Sequence, residues 1–277
     1  MKINKKISLG LALITSICSM SAEDKIVIDG STTVGPIAKA FAEYFMEMNP
    51  SVNISVSESG SGNGAKSLIN QTCDIAAMSR PMKDNEFKVA AEKGIKPTPH
   101  VVALDGLPIL VHPSNPLTGL KLEQVRAIYK GEISNWKELG GANKKIVVVS
   151  RDTNSGTYET FAGLVMNKEK IRSDAEYVGS NGAIRQRVQT TTGAIGFAGL
   201  GFVDDTVKAL EINGVYPELA SVQSGRYAIA RPLYLYTNAY PKLGSIQFQF
   251  LTIHLSPEGQ EMVEEIGFVP VTSYELD

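Results

Sequence analysis

Residues 52–71 read VNISVSESGSGNGAKSLINQ. Apolar and polar residues alternate over 52–58, the signature of a strand with one buried face. Glycines then crowd the next turn, and 66–71 takes up helical spacing. The middle of the stretch, GSGNGAKS at 60–67, is one residue from the phosphate loop G-x-x-x-x-G-K-[ST], with Ala65 where the second glycine belongs. A strand that delivers the chain into a glycine-rich helix start is the correct setting for holding phosphate oxygens. Against nucleotide hydrolysis stand Ala65 and the lack of a following apolar run that ends in a magnesium-binding acid. The common meaning of such a loop is a tight turn, so its function must be judged with its neighbours.

The same alternation runs outward in both directions. Residues 25–29 (KIVID) read as a strand, 34–48 as a helix and 74–78 as a third strand. Strands separated by helices predict parallel β-α-β units. The run 101–112 (VVALDGLPILVH) is too long for one strand and breaks at Asp105-Gly106, which predicts a crossing into a second lobe. There the pattern repeats, with helix 122–129, strand 146–150, helix 157–165 and strands 175–178 and 193–198. A broken pair, 227–230 and 232–237, is expected to cross back, and helices at 245–255 and 257–266 to complete the first lobe. The expected division is residues 1–22 as a leader, 23–104 with 232–277 as a discontinuous first lobe, and 105–231 as the second.

The leader reading rests on MKINKKISLGLALITSICSMSA, with Lys2, Lys5 and Lys6 ahead of an apolar run and small residues near Ser21 and Ala22. That is a secretory signal, too short to span a bilayer. Ile17 before Cys18 is bulkier than lipoprotein processing favours, so a soluble periplasmic product is expected. Removing three lysines takes the formal charge from −2 to about −5. A chain this acidic is a poor nucleic-acid binder, and any anion site in it must be built locally from directed donors. Cys73 is left as the one cysteine, placed as a small buried filler.

Two further strand-to-helix junctions carry oxyanion chemistry. Residues 29–36 (DGSTTVGP) put Ser31, Thr32 and Thr33 in a row, where one hydroxyl would suffice to cap a helix. Residues 151–157 (RDTNSGT), in the opposite lobe, add Arg151 to Ser155, Gly156 and Thr157, so that a guanidinium fork and a helix-start amide cluster converge on one tetrahedral anion. Arg80, after Ser79 at the end of the third strand, has two readings: it touches the ligand, or it pairs with an acid across the cleft. Catalysis is poorly supported, because His100, His112 and His254 sit in no nucleophile motif and no Cys or His pair has metal-ligand spacing. No metal and no cofactor is expected.

In order along the chain, GSTTVGP, SGSGNGAKSLI, DIAAMSR, ALDGLPILVHPSNP, IYKGEISNW, SRDTNSGTYETF, GAIGFAGL and RPLYLYT resemble the PstS-like phosphate-binding proteins of bacterial phosphate ABC importers, within the type II periplasmic binding proteins. The resemblance implies an α/β fold of two lobes, each an open, mostly parallel sheet flanked by helices, joined by a two-strand hinge. It implies a monomer that captures inorganic phosphate and hands it to membrane permease subunits. By position, the ligand contacts it implies are Ser31, Thr32, Thr33, Ser61, Arg151, Ser155, Gly156 and Thr157. Better-known long members place an aspartate where this chain has Arg80, an acceptor for protonated phosphate that repels sulfate. With that aspartate missing, Asp105 at the hinge is the expected substitute. The rivals are a binding protein for sulfate, molybdate or tungstate, a secreted phosphatase, and an adhesive protein on the same scaffold.

Overall fold

The computed structural model describes residues 24–272, so the leader lies outside the described residues. The first lobe opens with β1 (Asp24–Gly30), α1 (Gly35–Met48), β2 (Val52–Ser57), α2 (Ser61–Ile69), β3 (Ile75–Met78) and α3 (Asp84–Glu92). Strand β4 (Pro97–Gly106) leads across to β5 (Ile109–Val111), β6 (Gly119–Leu120), α4 (Leu122–Lys130), β7 (Val147–Arg151), α5 (Gly156–Leu164), β8 (Glu176–Val178), α6 (Asn181–Thr190), β9 (Ala194–Phe197), β10 (Lys208–Ile212) and α7 (Leu219–Gln223). The chain returns along β11 (Ala230–Asn238) and ends in α8 (Ile246–Thr252) and α9 (Pro257–Glu265).

One sheet has the order β2-β1-β3-β11-β4 and the other β6-β10-β5-β9-β7-β8. Each sheet is mostly parallel, as expected, with a single reversed strand: β11 in the first and β5 in the second. In the first, β1 runs parallel to β2 and β3, but β11 runs antiparallel to β3 and β4. Direction follows from the path: the chain leaves the lobe along β4 and re-enters along β11, so these two strands must oppose each other. In the second sheet, β5 is antiparallel to both β9 and β10.

Each lobe buries its own apolar cluster. Ile28, Ile37, Phe41, Phe250 and Phe268 anchor the first; Tyr129, Trp136, Phe161 and Phe197 anchor the second, where Phe161 and Phe197 stack at 3.9 Å. Val269 near the C-terminus packs into the second cluster while pairing with Leu104, so the seam between the lobes is tied on that side too.

Two local departures from the sequence pattern have physical causes. Helix α2 begins at Ser61, not at 66, and so takes Gly62 and Gly64 into its first turn. Glycine is a poor helix former, but a Cβ at Gly64 would stand 2.8 Å from both the Asp29 carbonyl oxygen and Gly30 Cα. Close packing on β1 therefore requires it. The expected break at residue 231 is absent, and β11 runs unbroken through Pro232. The β3–β11 ladder starts only at Tyr234, so the proline occupies a stretch where β11 has no β3 neighbour and its missing N–H costs no ladder bond there.

Candidate functional site

Three strand-to-helix junctions and the entry to α1 meet between the lobes. From the first lobe come Ser31, Thr32 and Thr33, leading into α1, and Ser61, the first residue of α2. From the second come Thr157 in the first turn of α5 and Asn181 at the first position of α6. All six are buried, as are Ser79, Ser155 and Arg151. Ser155 and Ser180 are the helix caps, each accepting from the backbone N–H three residues on, Tyr158 at 3.2 Å and Ala183 at 3.1 Å.

The contacts cross the cleft directly. Thr33 and Thr157 hydroxyls lie 3.0 Å apart. Asn181 Nδ2 donates to Thr32 Oγ1 at 3.1 Å and Thr33 Oγ1 at 2.9 Å, and Gly62 N–H donates to the Asn154 carbonyl at 2.9 Å. A Cβ at Gly156 would fall 2.5 Å from Ser61 Oγ and 2.6 Å from Ser79 Oγ, so a glycine is needed where α5 meets α2. The lobes are closed on each other, with helix N-termini, the positive ends of their dipoles, gathered around the hydroxyls.

Arg151 is 1% exposed. Its Nε donates to the Val178 carbonyl at 3.2 Å, and Nη2 to the Gly179 carbonyl at 2.8 Å and to Thr32 Oγ1 at 3.3 Å. Nη1 is buried and has no hydrogen-bond partner. Burial pulls the guanidinium down to about 10; Asp152 opposes that shift and Arg231 adds to it. A buried guanidinium nitrogen without a partner calls for an acceptor.

Arg80 follows the second of its two readings. Its Nη1 and Nη2 grip Glu86 at 2.8 and 2.7 Å, and Nε lies 3.1 Å from Glu159 Oε1 on α5, across the cleft. Nη1 is also on the Pro81 carbonyl; Nε makes its ion pair without a hydrogen bond, and no hydrogen bond joins Arg80 to the hydroxyl cluster. Burial alone would lower Arg80, but Glu86 and Glu159 outweigh it and hold its pKa above the ordinary value.

Asp105 is fully buried, but its carboxylate is occupied. Oδ2 accepts from Arg231 Nε at 3.0 Å and Nη2 at 2.8 Å, and Oδ1 accepts from Leu200 N–H at 2.9 Å. Burial raises the carboxyl and lowers the guanidinium, each against the pull of the other's charge. Arg231 holds Asp105 Oδ2 with two donors, the arrangement of a charge-assisted pair.

The phosphate-loop likeness is explained without a nucleotide. Lys66 is exposed, Ala65 is buried against Met78 and Leu68, and Ser67 donates to Asp29 Oδ2 at 2.6 Å. Cys73 is buried, and burial with Asp29 and Asp74 nearby pushes its thiol up to about 12, far from a nucleophile's range. Two residues of the cluster lie outside the sequence-based expectations: Asn181 and Arg231. For Asn181 a local signal existed, since residues 176–182 (EYVGSNG) repeat the strand, small-polar, helix-start grammar of the other junctions.

A family model described as the PBP superfamily domain matches residues 19–252. The phosphate-binding protein PstS of Borreliella burgdorferi is 33% identical over 92% of this chain and 93% of its own length; that of Staphylococcus saprophyticus is 34% identical over 95% and 87%. Among solved structures, an ABC transporter substrate-binding protein from Clostridium perfringens with bound phosphate superposes with a TM-score of 0.83 at 33% identity, covering 90% of this chain and all of that one. An ABC-type phosphate transport receptor from Vibrio cholerae gives 0.72 at 31%, covering 88% and 99%. Fold, junctions and relatives agree: the chain belongs to the PBP superfamily, as one of its PstS-like members.

Proposed function

We propose that this protein captures inorganic phosphate in the cleft between its lobes and delivers it to an ABC-type permease, acting as an exported periplasmic monomer. The single observation that carries the reading is the buried Arg151 Nη1, which lacks a partner beside buried hydroxyls and helix N-termini drawn from both lobes. Such a site offers donors in every direction and a charge that burial makes costly until an anion arrives. The phosphate contacts are Thr32, Thr33, Ser61, Arg151 and Thr157, with the α5 amide at Gly156. Ser31 and Ser155 shape the helix starts: Ser31 Oγ accepts from Thr33 N–H at 3.0 Å, and Ser155 caps α5. Lobe closure supplies the dry surroundings in which these bonds gain strength.

The role is binding rather than catalysis. Equilibrium dialysis with radiolabelled phosphate, run beside a chromogenic phosphate ester, tests this. Saturable phosphate retention that Arg151→Ala abolishes, with no release from the ester, is expected. Steady ester hydrolysis by the purified chain would overturn the binding role.

A further inference from the structure

We propose that Arg231 is a second anion-binding guanidinium of this site, aimed by Asp105 across the hinge, and that the pair makes the site select the phosphate dianion. The proposal rests on the phosphate reading above and deepens it. Arg231 sits on β11 directly opposite Asp105 on β4, in the ladder that carries the chain between the lobes. It is 6% exposed, and Asp105 is 0%. A fork held by one carboxylate on two nitrogens has a fixed direction. Here the direction is into the hydroxyl cluster: Nη2 reaches Thr157 Oγ1 at 3.0 Å and Thr33 Oγ1 at 3.4 Å, one residue from each lobe, while Nη1 reaches Thr160 Oγ1 at 3.3 Å. Thr33 and Thr157 are themselves proposed phosphate contacts, and their hydroxyls touch at 3.0 Å, so an anion lying against the pair is within reach of the guanidinium that bonds both.

This changes the role of Asp105. Oδ2 is taken twice by Arg231 and Oδ1 once by Leu200 N–H, and no hydrogen bond joins Asp105 to the hydroxyl cluster, so it is a positioning residue acting through Arg231 rather than the acceptor for the phosphate proton. That proton is left to a hydroxyl oxygen, which can accept or donate as the ligand requires. The charged groups facing Arg231 are Asp105 on β4 and Arg151 on β7; Tyr227, also close to Asp105, is buried with its hydroxyl on the Leu107 carbonyl and stays neutral. Asp152 also acts on Arg151, but the charged groups that bond the hydroxyls are the two guanidinia, Arg151 on Thr32 and Arg231 on Thr33 and Thr157, with the carboxylates behind them. A dianion gains more there than a monoanion does.

The test compares phosphate affinity at about pH 5.5 and about pH 8.5, either side of the second ionisation of phosphate, in three proteins. The wild type is expected to bind more tightly at the higher pH. Arg231→Gln alone would leave Asp105 buried and unpaired, so the double variant Asp105→Asn/Arg231→Gln is used, which replaces the ion pair with amides that can still bond across the ladder. It is expected to lose about tenfold or more at the higher pH and less at the lower, which flattens the pH dependence. Arg231→Lys keeps the charge and is expected to keep the pH dependence while losing affinity at both. An equal loss at both pH values in the double variant, or no loss, would overturn the proposal by showing a purely structural pair. A wild type that binds no phosphate at either pH would instead overturn the phosphate reading on which the proposal stands.

Discussion

Replacing Glu159 with glutamine should loosen closure without disturbing either lobe. Glu159 is in the first turn of α5, and its carboxylate receives two cations from the first lobe, Arg80 Nε at 3.1 Å and Lys83 Nζ at 2.9 Å. Lys83 is 47% exposed and adds little. Arg80 is 5% exposed, so its attraction is the one that counts. At 3.1 Å and an effective dielectric of about 20 the gross Coulomb energy is about 5 kcal/mol. Most of that is offset by desolvation, and Arg80 keeps its bidentate grip on Glu86 when Glu159 is gone, so no charge is stranded. The net loss should be about 1–2 kcal/mol, and it falls on the closed form alone. Phosphate affinity then drops about 5- to 30-fold, mostly through faster release, because the bridge forms as the lobes close. Stopped-flow release and calorimetry on Glu159→Gln measure both, and the melting temperature without ligand reports on the lobes. A release rate and affinity within twofold of wild type would show that the cross-cleft bridge contributes nothing to retention.

Arg151→Ala should weaken phosphate binding by more than about 2 kcal/mol, since a buried anion would lose its charged partner; near-normal affinity in a titration would remove Arg151 from the site. Gly156→Ala should cost about 1–3 kcal/mol of binding, because the new methyl meets Ser61 and Ser79 hydroxyls at 2.5 and 2.6 Å only when the lobes are shut. An unchanged dissociation constant would mean that closure does not bring α5 onto α2. Acid should destabilise the fold through His100, whose pKa burial and then His254 lower to about 4. Below the unfolded value the unfolded chain binds the extra proton, so stability is full above about pH 6.5 and falls from there toward pH 4. Urea melts of His100→Gln should show a shallower loss over that window, and an identical pH profile would exclude His100 as a cause.

The strand-to-helix junctions were legible because their chemistry is local. Single hydroxyls and glycines at helix starts ordinarily serve caps and turns, but several such junctions with more hydroxyls than capping needs mark an oxyanion site, and Thr32, Thr33, Ser61, Arg151 and Thr157 do come together. What was not legible depends on partners far apart in sequence. Arg231 reads as a lone cation before a proline; only the β4–β11 register sets it against Asp105, 126 residues away. Arg80 could not be assigned from sequence for the same reason, since its cross-cleft partner Glu159 is fixed by lobe closure. Helix α2 was entered late because glycine propensity argues for a loop, and tertiary packing on β1 overrides it. The one reversed strand in each sheet, β11 and β5, was hidden because apolar runs give strands but not their directions.

The central claim is that the closed cleft is built to hold one phosphate. The measurement that tests it most directly is calorimetric titration of the chain, unfolded and refolded to strip carried-over ligand, with phosphate and then with sulfate. The account predicts one site per chain, a dissociation constant below about 1 μM for phosphate, and weaker binding of sulfate. Tighter binding of sulfate would keep the fold and overturn the substrate. No heat with either ion, from a protein that melts cooperatively, would contradict the claim itself.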